Sequence, residues 1–179
     1  MKNNFGVNCL ISYILAIICG VVFLAADQIS KFYIISNFEL GESTQFLKGF
    51  IDIIYINNKG GAWGILEGQT WTLLSITAIL LIVCFTLILK LGKKNKIMFW
   101  AITLILFGGV GNMIDRIFRD GNVVDFLHFE FFPTFPIFNI ADCAVVIGAC
   151  LLVFYFIYDS YRDSKLKKKK LEQPEDNNE

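Results

Sequence analysis

Carboxylates set in apolar sequence are the residues of this chain best placed to do chemistry. Asp142 interrupts a stretch that is charge-free from 131 to 141 and again from 143 to 158. An ionisable group at membrane depth is costly and marks a functional position by default. The competing structural role is a charge favoured by the helix dipole, because Pro136 suits the start of a helix nearby. Asn139, three residues earlier, shares a helix face with Asp142 and can donate beside its carboxylate. Asp125 stands in Val123-Val124-Asp125-Phe126, after the turn-like Asp120-Gly121-Asn122. Burial there would raise its pKa. Two carboxylates held close cannot both ionise easily; they share a proton, so one can act as base and the other as acid. Such a pair activates water against an amide without metal, serine or cysteine.

A second group precedes these. Asn112, Asp115 and Arg116 share a helix face by their spacing. Asp115 and Arg116 are expected to pair and fix this end of the site. Gly108, Gly109 and Gly111 allow close helix packing. The segment Asn57-Asn58-Lys59-Gly60-Gly61-Ala62-Trp63-Gly64 permits tight turns and close backbone approach; alone it would read as a plain turn. Other hydrolytic designs fail on residue supply. There is no HExxH and no GxSxG, and His128 is the single histidine. Ser30 and Lys31 are neighbours on a helix and point apart, so they make a poor dyad. His128 reads as an interfacial polar residue. No metal ligand set is visible and no cofactor is implied.

The elements that must position these groups follow from hydropathy. The chain has 179 residues, 55% of them hydrophobic and 18% charged, with a mean hydropathy of +0.58. That exceeds a soluble domain of this length. Lysine plus arginine equals aspartate plus glutamate at 16 each, which argues against nucleic acid as a partner. The charge-free runs predict four transmembrane helices near 9–26, 70–90, 97–115 and 137–158, since about 20 apolar residues span the hydrocarbon core. The first is read as a retained helix rather than a cleaved signal peptide. Trp71 and Trp100 fall near predicted helix ends, as interfacial anchors do. The five cysteines lack CxxC spacing and read as small buried hydrophobes.

The connectors 27–69 and 116–136 lie on one side. Residues 46–56 read as strand after the turn-like Gly41 to Thr44, so a small β-containing extracytoplasmic subdomain is expected. The termini and the 90–96 connector carry 11 of the lysines and arginines and the other side carries 5, which puts the termini in the cytoplasm. Residues 1–160 form a single membrane domain, and 161–179 a charged cytoplasmic tail expected to be disordered. Asp125 and Asp142 then meet at the outer face, with 16 residues between them. A different class, a small proton- or ion-coupled carrier relaying through Asp115, Asp125 and Asp142, would need acids along the inner halves of the spans, and none continue there. A purely structural scaffold gives Asp142 and the asparagines no reason.

Five blocks now stand in order: Asp27-Gln28-Ile29-Ser30-Lys31; Asn58-Lys59-Gly60-Gly61-Ala62-Trp63-Gly64; Gly111-Asn112-Met113-Ile114-Asp115-Arg116; Val123-Val124-Asp125-Phe126; and Phe138-Asn139-Ile140-Ala141-Asp142. In these the chain resembles bacterial lipoprotein signal peptidase, signal peptidase II, over roughly residues 10–158. The resemblance implies a four-helix inner-membrane aspartyl protease that removes signal peptides from prolipoproteins, cutting before a diacylglyceryl-modified cysteine. It implies Asp125 and Asp142 as the catalytic pair. Asn112 and Asn139 match family asparagines near that pair, and Asp115 and Arg116 match its GNxxDR block. Asp27, Lys31, Asn58 and Gly60 match earlier blocks. Partners would be such prolipoproteins and membrane lipids. The chain departs from the family pattern at Trp63, usually phenylalanine, at Gly61 and Lys59, and at Cys143, where serine is common.

Overall fold

The computed structural model describes residues 2–91 and 95–172. Four helices carry the architecture: α1 Lys2–Asn37, α2 Thr70–Leu91, α3 Lys96–Phe118 and α4 Ile140–Glu172. Within them Leu10–Asn37, Thr70–Lys90, Lys96–Phe118 and Ile140–Lys168 are each long and apolar enough to cross a membrane. Much of their apolar surface faces outward; Ile17, Val22, Ile79, Ile82, Val153 and Ile157 are all exposed. Water would make that an aggregation liability, whereas lipid is the solvent it fits.

The third helix is the hub, packing against the other three. Glycine makes that approach close. A Cβ at Gly111 would lie 2.7 Å from Asp27 Oδ2 on α1 and 3.1 Å from Ala141 Cβ on α4. The opposite end of the bundle is held by Ala16, Ile88, Phe99 and Ile102, with Tyr13 and Trp100 packed against them. Asn95 caps α3, its side chain accepting from Met98 N at 3.1 Å.

Three strands form an antiparallel sheet in the order β1 Ser43–Leu47, β2 Ile51–Asn58, β3 Val123–Phe129. Val124 and Phe126 pack on Tyr55 and on Ile34 of α1, which docks the sheet onto the bundle. Their neighbours along the strand must then point to the opposite side. In the register, Asn58 faces Val123 and Ile56 faces Asp125. That puts Asn58 and Asp125 diagonally on one face, within reach of each other.

The structure departs from several of these expectations. The first helix runs to Asn37, so residues 27–37 belong to α1 and not to an outer loop. Asp27 and Lys31 lie inside this helix, where Lys31 pairs with Asp27 on α1 and with Asp115 on α3, so charge did not end the span. Residues 46–56 form a hairpin rather than one strand, because Gly49, at φ +76°, turns the chain between β1 and β2. The strand β3 was not anticipated. Finally, α4 continues to Glu172, so residues 161–172 extend the helix where an unstructured tail was expected. Lysine, leucine and glutamate are good helix formers on an already nucleated helix, and Arg162 bridges Asp159 at 2.7 Å. Residues 173–179 lie outside the described residues. Four of the five cysteines are less buried than expected: Cys84 and Cys143 are half-buried, while Cys19 and Cys150 are exposed on the span surfaces.

Candidate active site

The site is built at the end of the bundle where α1 and α3 finish and α4 begins. Asn139 precedes the first turn of α4. Its Oδ1 accepts from Asp142 N at 2.9 Å, and Asp142 Oδ2 accepts from Asn139 N at 3.1 Å. This is a reciprocal capping box, so the same contacts that start the helix also fix the Asp142 carboxylate. The other oxygen, Oδ1, accepts from Asn112 Nδ2 of α3 at 2.7 Å.

Asp125 is presented by β3 and is 1% exposed. Its Oδ1 accepts from Asn139 Nδ2 at 2.6 Å and its Oδ2 from Asn58 Nδ2 at 2.8 Å. The Asn58 amide cannot turn over freely, because its Oδ1 accepts from Gly60 N at 2.9 Å. Gly60 is buried, and a Cβ there would stand 3.1 Å from Gly64 C and from Ile65 O. A larger residue would push this loop away from Asp125. Burial and the neighbouring Asp142 charge push the Asp125 carboxyl up from 3.8 to about 7, against the hydrogen bonds from Asn58 and Asn139.

Beneath the carboxylates lies a buried ion cluster. Lys31, Asp27 and Asp115 are at most 1% exposed. Lys31 Nζ is 2.9 Å from Asp27 Oδ2 and 2.9 Å from Asp115 Oδ2. Arg119 Nε reaches Asp115 Oδ1 at 3.3 Å. Gln28 Nε2 donates to Asp27 Oδ2 and Asp115 Oδ1 at 3.0 and 3.1 Å. Asp115 Oδ2 also accepts from Val124 N, and Asp27 Oδ1 from Ala141 N, so the cluster ties α1, α3, β3 and α4 together.

The expected Asp115–Arg116 pair does not form. Consecutive residues on a helix point about 100° apart, so Asp115 turns to Lys31 and Arg119 while Arg116 turns to the cavity. Arg116 Nη2 donates to Gly60 O at 2.8 Å. Its contact is with the glycine loop and not with the acid beside it. We expect Arg116→Ala to leave the ion cluster standing and to loosen this loop. A charge-assisted hydrogen bond contributes about 1.5–3 kcal/mol. Trypsin should then cut faster after the exposed Lys59, and Arg116→Lys should restore only part of the protection because it cannot reproduce the guanidinium geometry. Unchanged trypsin sensitivity would remove the tether assignment.

A cavity of about 490 Å³ opens over the carboxylates. Asp125, Asp142, Asn58, Asn112 and Arg116 form its polar end; Trp63, Phe129, Phe135, Phe138, Val145 and Val146 make most of the rest apolar. Trp63 stands edge-on to Phe135 at 6.1 Å across this lining. All ten residues singled out from the sequence meet here or in the cluster beneath. Sequence reasoning gave no role to Gln28 or Arg119. Their signal was present: Gln28 adjoins Asp27, and Arg119 lies one helical turn after Asp115. His128 faces Asp52 across the sheet, Nδ1 to Oδ2 at 3.9 Å, away from these groups.

Four lipid-compatible spans and a small sheet that together hold two amide-clamped carboxylates, Asp125 buried and Asp142 half-buried, define a polytopic membrane protein with a carboxylate site opening into an apolar cavity. Residues 18–158 match the family model of signal peptidase (SPase) II, and this chain belongs to that family of membrane peptidases. It is 41% identical over 143 residues to the lipoprotein signal peptidase of Bacillus pumilus, covering 79% of this chain and 92% of that protein. It is 40% identical over 151 residues to that of Halalkalibacterium halodurans, covering 84% and 96%. A solved structure described as a bacterial membrane enzyme obtained by the in meso method at 2.3 Å superposes with a TM-score of 0.78 at 36% identity, covering 82% of this chain and 89% of that one. A second, at 1.9 Å, gives a TM-score of 0.75 at 36% identity, covering 81% and 94%.

Proposed function

We propose that this protein is an aspartyl endopeptidase that cleaves the signal peptide from diacylglyceryl-modified prolipoproteins, cutting before the lipidated cysteine. The observation that carries this reading is the clamped pair Asp125 and Asp142 at the polar end of an apolar cavity. A signal peptide and a diacylglyceryl group both reside in lipid and can approach sideways between the helices. The scissile segment must unwind locally, because a helical amide is shielded by its own hydrogen bonds.

In this mechanism Asp125 holds the shared proton and Asp142 is ionised. Asp142 takes a proton from water as its oxygen attacks the scissile carbonyl carbon, and Asp125 gives its proton to the carbonyl oxygen. Collapse of the tetrahedral intermediate breaks the C–N bond. The proton on Asp142 passes to the leaving nitrogen, and the hydroxyl proton returns to Asp125. The test is incubation of the purified protein with a lipid-modified precursor and with the same precursor unmodified. Release of signal peptide from the modified form alone is expected; release from neither would overturn the reading.

The pH dependence follows from Asp125. Its proton stays in place up to about 7 rather than leaving near 3.8. A working pair needs one proton, so kcat/KM should fall as pH rises beyond about 7. A value that keeps climbing to pH 9 would contradict the assignment.

The outer face is proposed for the site, on the basic asymmetry of the connectors. In a cysteine-free background, a membrane-impermeant thiol reagent applied to intact cells should label cysteines placed at the exposed Lys48 or Lys59 and miss one at Lys165. The reverse pattern would put the carboxylates in the cytoplasm.

A further inference from the structure

We propose that Lys31 is a positioning residue that locks the orientation of the Asn112 amide and through it aims a hydrogen-bond donor at Asp142; this rests on the reading of Asp142 as a catalytic carboxylate. An ammonium has three N–H donors and no acceptor. Lys31 directs one each at Asp27 Oδ2, Asp115 Oδ2 and Asn112 Oδ1, the last at 3.1 Å. Charge balance does not require that third bond, since Asp27 and Asp115 are matched by Lys31 and Arg119. It goes to a neutral amide whose other end touches the reacting group.

The two ends of an amide are nearly equal in size, so its partners decide which way it faces. Asn112 Oδ1 receives Lys31 Nζ and, at 3.0 Å, Asn139 Nδ2. Turning the amide over would set its NH₂ against two obligate donors. Only one orientation is therefore stable, and it leaves Asn112 Nδ2 on Asp142 Oδ1 at 2.7 Å. Without the ammonium, only the Asn139 contact and the negative charge of Asp142 itself oppose the turn, and protonation of Asp142 removes the second. The Asn112 oxygen could then face Asp142 and favour a protonated carboxyl there, in place of the ionised base.

The test removes Lys31 without leaving a net charge in the cluster. In the double variant Lys31→Met with Asp27→Asn, Asp115 keeps Arg119, Gln28 and Val124 N. We expect a folded protein in detergent, KM for the lipid-modified precursor within about threefold of wild type, and kcat lower by about 100-fold, as for a displaced reacting group. In an Asn112→Ala background the same double change should lower kcat no further, because the path through the amide is already gone. Wild-type kcat in the double variant, or an equal further loss in the Asn112→Ala background, would overturn the proposal.

Asp142→Asn run alongside separates the two ideas. If it turns over substrate, the dyad reading fails; if it is inactive while the double variant is fully active, only the role of Lys31 fails. Should the double variant not fold, ¹⁵N-asparagine-labelled protein supplies the measurement. The side-chain NH₂ signal of Asn112 should shift on Asp142→Asn. A signal indifferent to that change would mean that the NH₂ faces the ion cluster, and the proposal would be withdrawn.

Discussion

Asp125→Asn and Asp142→Asn are each expected to lower the cleavage rate by on the order of 10⁴ or more while leaving a folded, membrane-inserted protein. The two carboxylates are joined through one asparagine: Asn139 Nδ2 donates to Asp125 Oδ1, and Asn139 N donates to Asp142 Oδ2. Groups that act as a unit lose nearly everything with the first member removed, so the double variant should be little worse than either single one. Folding should survive because asparagine is close to isosteric and still offers an oxygen. At position 142 that oxygen can keep accepting from Asn139 N, which preserves the start of α4. At position 125 the neutral amide carries no charge for burial to oppose, which offsets the cost of setting its NH₂ against one of the two amide donors there. The measurement is single-turnover release of signal peptide by detergent-purified variants, with thermal unfolding as the control for fold. Turnover within tenfold of wild type in either folded variant would sink the dyad.

Lys31→Met should be the most destabilising single change at the site. It leaves Asp27 and Asp115 buried together with only Arg119 as counter-charge. Removing one partner from a buried ion pair costs about 3–5 kcal/mol, mostly as the penalty of the charge left behind. Adding Asp27→Asn removes that surplus charge, so much of the lost stability should return. The pair of melts therefore separates charge imbalance from packing. If the double change melts as low as Lys31→Met alone, the loss comes from packing around the lysine stem, and the electrostatic account is wrong.

The ion cluster also shows where sequence reading ran out. Spacing put Asn112, Asp115 and Arg116 on one helix face and expected Asp115 and Arg116 to pair, yet Asp115 turns to the ion cluster and Arg116 to the cavity. Adjacent residues on a helix diverge, and Asp115 had a better cation available on α1, far away in sequence. Likewise, Asp27 and Lys31 looked like the start of a loop because charge was expected to end a span. A charge inside an apolar helix is tolerated when another helix neutralises it, and that neutralisation is a property of the packed state. The strand β3 was hidden for a related reason. Val123 to Phe129 is short and mostly apolar, so only its pairing with β2 makes it a strand.

Local composition by itself determined the four spans, since each must bring its own backbone hydrogen bonds and about 20 apolar residues into lipid. It also determined which side chains were chemically unusual: Asp125 and Asp142, acids without local counter-charges, and the asparagines spaced to reach them. The tertiary structure decided what those groups do to one another. The β2–β3 register sets Asn58 diagonal to Asp125, Gly111 lets α3 approach α1 and α4 closely, and Lys31 fixes the face of Asn112 turned to Asp142. Hydrophobic burial and helix formation are read from neighbours along the chain. The direction of a hydrogen bond and the balance of a buried charge depend on groups up to 114 residues apart, as in Ala141 N to Asp27 Oδ1, and exist only once the helices are packed.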